Sequence, residues 1–183
     1  MNEVRKVSYP VNNKEYEIFI QYDEDALNPR ESEDSLGSFI MFHRKYDFSD
    51  KGEKQKFRTP EDFQAYLKED KCVVLPVYML DHSNITIRTY PFNDDWDSGK
   101  IGYIYVTYEK IKKEYNLKVV NYRRIRNVKD ILRREIDNLD MWLRGEIYGY
   151  IILDEDRKPV DSCWGFTSSR EALDNALEVC NAQ

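Results

Sequence analysis

The run 72–80, CVVLPVYML, constrains this chain more than any other stretch. Nine uncharged residues, three of them Val, fit a strand better than a helix. Near-continuous apolarity predicts cover on both faces rather than one. Pro76 inside the run cannot donate to a ladder, so it predicts a bulge or an edge position. The chain has 183 residues, 41% of them hydrophobic and 14% aromatic. That suits one domain with a substantial core around such a strand.

Further strands follow from alternation. Residues 15–22 (EYEIFIQY) put Tyr16, Ile18 and Ile20 on one side, and 38–43 is a short apolar strand. Ile85 and Ile87 alternate with Thr86 and Arg88. Residues 101–106 place Ile101, Tyr103 and Tyr105 opposite Gly102, Ile104 and Val106. Residues 147–153 and 159–164 read as a hairpin about a polar turn. Helices are marked by their caps: Thr59 with Pro60 and two acids, Thr107, Asn127, and a Ser168/Glu171 capping box. In 127–143 the apolar residues Val128, Ile131, Leu132, Ile136, Leu139, Trp142 and Leu143 keep the 3.6 period. The expected fold is a single α+β domain over 1–183, with a mixed or mainly antiparallel sheet and helices packed on it. The helices at 127–143 and 168–180 are expected on one face of a sheet that holds strands 101–106 and 147–153.

Composition excludes several classes. No apolar run reaches the length of a transmembrane helix, and the N-terminus lacks the apolar core of a secretory signal. Cys72, Cys163 and Cys180 form an odd set without CxxC spacing, which points to reduced thiols in a cytoplasm. The net charge of −6 weighs against direct nucleic-acid binding. Its excess sits early: residues 1–105 carry 14 Lys and Arg against 20 Asp and Glu, while 106–183 are balanced at 14 each. The densest acidic segment is 22–35, with Asp23, Glu24, Asp25, Glu31, Glu33 and Asp34. Such a run is a solvated loop by default. Its sharper use is an acidic surface that imitates nucleic-acid phosphates on a basic partner.

One stretch concentrates polar chemistry. Between the apolar segments, 81–99 carries Asp81, His82, Ser83, Trp96, Asp97 and Ser98, and a related cluster recurs as Asp161-Ser162-Cys163-Trp164-Gly165. Asp and Ser serve tight turns by bonding nearby backbone, and a Trp packs in a core. If both turns line one pocket, Asp81, His82, Ser83, Trp96, Asp97, Ser98, Asp161 and Cys163 are its binding residues. A small enzyme is the alternative: Cys163 as a thiol nucleophile, His82 or His43 as base and Asp81, Asp97 or Asp161 as its orienter, or a metal held by His82 with Asp81, Asp94, Asp95 and Asp97. No spacing typical of metal ligands occurs, so no metal or other cofactor is expected. The basic run from Arg123 to Arg134 could contact phosphates, a reading that ranks last because such a run at a helix start is by default a solvated face.

Several blocks taken in order carry a resemblance. They are Asn28-Pro29-Arg30-Glu31, Leu36-Gly37, Phe42-His43-Arg44-Lys45-Tyr46, Asp81-His82-Ser83, Pro91-Phe92, Trp96-Asp97-Ser98-Gly99 and Asp161-Ser162-Cys163-Trp164-Gly165. Over 28–166 the chain resembles a family of small acidic proteins encoded by bacteriophages and mobile elements. Lys100 stands where that family has a polar uncharged residue. The resemblance transfers no catalytic residue. It implies a setting inside a bacterial host cell, where such proteins bind and block defence machinery. The expected partner is therefore a host protein or complex, and the expected role is inhibition through protein contacts.

Overall fold

A computed structural model describes residues 3–12, 14–31, 34–93 and 96–182. In chain order its elements are β1 (Glu3–Val11), β2 (Lys14–Tyr22), β3 (Ser38–Met41), α1 (Glu53–Lys56), α2 (Pro60–Glu69), β4 (Cys72–His82), β5 (Asn84–Arg88), β6 (Ser98–Thr107), α3 (Tyr108–Glu114), α4 (Tyr122–Leu143), β7 (Tyr148–Leu153), β8 (Pro159–Phe166) and α5 (Ser169–Asn181). The fold is α+β, and every strand pairing is antiparallel. The chain divides into two compact units. Unit 1 comprises Met1–Leu27 and Met141–Gln183, and unit 2 is Asn28–Asp140. Strands 101–106 and 147–153 therefore do not share a sheet as expected. They belong to two four-stranded sheets, ordered β1-β2-β7-β8 and β3-β6-β4-β5.

In unit 1 the alternation of β2 sends Tyr16, Ile18 and Ile20 inward, as their spacing predicts. They meet Tyr150 and Ile152 of β7 and the face of α5 formed by Ala172, Leu173, Ala176 and Cys180. Helix α5 starts where Ser168 accepts the Glu171 amide at 3.0 Å. Burial raises the pKa of the Cys180 thiol.

In unit 2 the apolar run is β4, an interior strand, and both its faces are covered. Register puts Val74 and Pro76 beside Tyr105 and Tyr103, and Leu75 and Val77 beside Ile104 and Gly102. On the first face Phe57, Phe63 and Tyr66 pack against Ile40, Tyr103 and Tyr105. On the second, Leu132 of α4 lies over Gly37 and Ile104. Pro76 is accommodated by an irregularity between Val77 and Tyr78, so the bulge is found and the edge position is not. Gly102 is required by sterics: a Cβ there would sit 2.0 Å from the Ile40 carbonyl oxygen of β3.

Helix α4 begins at Tyr122 rather than Asn127. Asn121, not Asn127, is its cap, accepting the Arg124 amide at 2.9 Å. Basic residues fill the first turn where acidic ones are normally favoured, which is why 118–126 reads as irregular from sequence.

Candidate functional site

The β4–β5 turn and the loop 89–97 place the polar stretch at one end of the unit 2 sheet. The turn is tight: His82 pairs directly with Asn84, and Ser83 between them has φ +64°. The loop returns to β4, where the Asp81 amide donates to the Asp97 carbonyl at 2.9 Å and Ser98 pairs with Leu80. That register sets Asp97 against His82, and Asp97 Oδ2 lies 2.9 Å from His82 Nδ1. The pair is largely solvent-exposed. Asp81 faces Lys45 at 3.6 Å. The Tyr46 side chain, and after it Asp81, raise the pKa of the Lys45 ammonium.

The far side of the loop is stapled by Arg88. Its guanidinium stacks on Phe92 at 3.7 Å and Tyr90 at 4.2 Å, and donates to the Tyr90 and Pro91 carbonyls at 3.2 and 2.7 Å. Between these two anchors Trp96 stands 97% exposed. Asp94 and Asp95 lie outside the described residues. Among the described residues, no group of three or more His, Cys, Asp or Glu side chains is arranged to hold a metal.

Asp81, His82, Ser83, Trp96, Asp97 and Ser98 are thus brought together. Asp161 and Cys163 belong to unit 1. They lie on β8 of unit 1, in the other sheet, where the Tyr150 hydroxyl donates to Asp161 at 2.8 Å. Cys163 and Cys180 lie in unit 1 and both histidines in unit 2, where Cys72 and His82 stand at opposite ends of β4. The expectation of a core Trp164 is corrected as well. β8 is an edge strand, Cys163 is exposed, and Trp164 is 43% exposed, lying flat across Gly149 of β7.

The acidic run is divided between the two units. Asp23, Glu24 and Asp25 belong to unit 1, Glu31 and Asp34 to unit 2, and Glu33 lies outside the described residues. In unit 1, Asp23 and Glu24 border a cleft of about 620 Å³ with Tyr22, Trp142, Arg144 and Glu146. Trp142 is held there by donating Nε1–H to the Ala26 carbonyl at 2.8 Å. Sequence patterning missed this cleft, because Trp142 also fits the apolar stripe of its helix. In unit 2 the run is anchored by Arg30, which is only 8% exposed. Its guanidinium is bidentate to Asp50 at 2.9 and 2.6 Å and reaches Glu135 at 2.8 Å and the Gly37 carbonyl at 2.8 Å.

No protein-family model, curated protein or solved structure matches this chain.

Proposed function

We propose that this protein works by binding another protein through the 81–98 end of unit 2, with Trp96 as the anchor. In the setting that the family resemblance implies, the partner is a component of a bacterial nucleic-acid-targeting defence complex and the outcome is its inhibition. The observation that carries the reading is a tryptophan exposed over 97% of its surface on a loop fixed at both ends. Exposing an indole to water forgoes a large burial energy, and Trp is among the residues that dominate binding when they enter a partner's pocket. Fixing the loop beforehand lowers the ordering entropy lost on association. The acidic segment 22–35 supports this role less directly, because its carboxylates are divided between two units and Arg30 within it is internally paired.

The test compares wild type with Trp96→Ala in capture from bacterial lysate, followed by titration against the recovered protein. The anchor reading expects affinity to fall about thirtyfold, the equivalent of a 2 kcal/mol hot spot. Melting temperature should stay unchanged, since the exposed side chain supports no core. Equal capture and equal affinity of the two proteins would remove Trp96, and with it this site, from the account.

A further inference from the structure

Cationic side chains gather on a different part of unit 2. Residues 109–134 hold ten Lys and Arg against three Asp and Glu, within a chain of net charge −6. The structure places them on α3, the connection 115–121 and the first turns of α4. The Arg124 guanidinium covers the Tyr115 ring at 4.1 Å, tying the connection to the helix. Lys112, Lys113, Lys118, Arg123 and Arg126 are exposed, and Tyr122 beside them is 82% exposed.

This arrangement runs against helix electrostatics. The first turn of α4 has no acidic residue and its last turn no basic one, the reverse of what the helix dipole favours. The same chain follows the rule elsewhere: α2 opens on Glu61 and Asp62, and α5 on Glu171. Grouped cations that lower the stability of their own helix create a local positive field suited to an anionic partner.

We propose that the α3–α4 face binds a single nucleic-acid strand, with Lys and Arg on its phosphates and Tyr122 stacked on a base. A cationic track with an exposed aromatic is how sequence-tolerant strand binding is built. Arg123 and Arg134 lie eleven residues apart on one side of the helix, a track of roughly 16 Å. The net charge that weighs against nucleic-acid binding is outweighed locally, because exposed charges are screened beyond about 8 Å at physiological salt and a phosphate senses the nearby patch. The inference goes beyond the protein-contact role and uses none of its residues.

The test is fluorescence anisotropy of the full chain with a labelled mixed-sequence DNA or RNA strand of about 20 nucleotides. A duplex of equal length and vesicles of phosphatidylserine in phosphatidylcholine serve as the other arms. With about four phosphate contacts, each contributing about 0.7 to the log–log salt slope, Kd should rise about fiftyfold from 50 to 200 mM salt. Arg123→Ala with Arg126→Ala should lower that slope by about 1.4 and raise Kd at least tenfold by order of magnitude. Melting temperature should not fall, because Ala favours the helix and relieves like-charge repulsion. Lys112→Ala with Lys113→Ala provides a second variant outside α4. Tyr122→Ala should weaken the strand more than the duplex. Lys14→Ala with Arg170→Ala, which removes equal charge from unit 1, should leave Kd within about twofold. Three outcomes would overturn the proposal: no oligonucleotide bound at 50 mM salt, equal weakening by the unit 1 control, or binding to the anionic vesicles alone.

Discussion

Arg30 decides what the acidic run around it can do. The guanidinium holds Asp50, which also accepts the Phe39 amide at 2.9 Å, and Glu135, which also accepts the Leu36 amide at 2.8 Å. One side chain thus ties the loop, β3 and α4 together inside unit 2. Removing one partner of such a buried set strands the remaining charge, and the expected loss is about 3–5 kcal/mol. Arg30→Met should show it in urea denaturation, and Arg30→Lys should recover little, because an ammonium cannot reproduce the bidentate fork. A loss below about 1 kcal/mol would mean that the network does not anchor the loop. The acidity of 22–35 is legible in sequence. The role of Arg30 is not, since its partners lie 20 and 105 residues away. The same limit applies at Asp140, a helical carboxylate that accepts the Ile87 amide at 2.7 Å on edge strand β5. By contrast, the His82–Asp97 pair joins neighbouring strand ends, and both residues stand out in the turns.

Elements are legible where one period holds and obscure where two signals conflict. β2 and β4 alternate in burial, β6 and the hairpin β7–β8 lie where their residues announce strands, and α2 starts at the Thr59 box. β1 is not legible in the sequence, because Pro10 and charged residues blunt the pattern of Val7, Tyr9 and Val11. Pairing partners are a tertiary choice, which is why one sheet was expected and two are found. Trp164 shows how placement changes energetics. As a core residue its truncation would cost about 3–5 kcal/mol. On an edge strand it instead covers Gly149 across the ladder, where a Cβ would meet the indole at 2.1 Å. Trp164→Ala should therefore cost only about 1 kcal/mol, the scale of a cross-strand pair. Chemical denaturation distinguishes the two values. A loss of the larger size would mean that the indole is buried in solution.

At the scale of the whole chain, unit 2 is one continuous segment and unit 1 is assembled from two. No Gly- or Pro-rich linker marks the second boundary, which falls between Asp140 and Met141 within the last turn of α4, so the sequence offered no reason to divide the chain. Residues 28–140 contain a complete sheet with helices on both faces, and made alone they should fold cooperatively. Dispersed amide resonances and a single urea transition would bear this out, and a collapsed spectrum would show that the unit depends on the rest. The order of elements also sets a timetable for synthesis. β2 pairs with β7, yet Tyr148 follows Tyr22 by 126 residues. At about 5–20 residues per second a ribosome takes roughly 6–25 s to bring β7 out. For that interval the β1–β2 hairpin has emerged with its β2 edge open as well as its β1 edge, the condition that invites pairing with another chain. The nascent protein is thus most exposed to misassembly while unit 2 is being made, and chaperone demand should fall once β7 has cleared the exit tunnel.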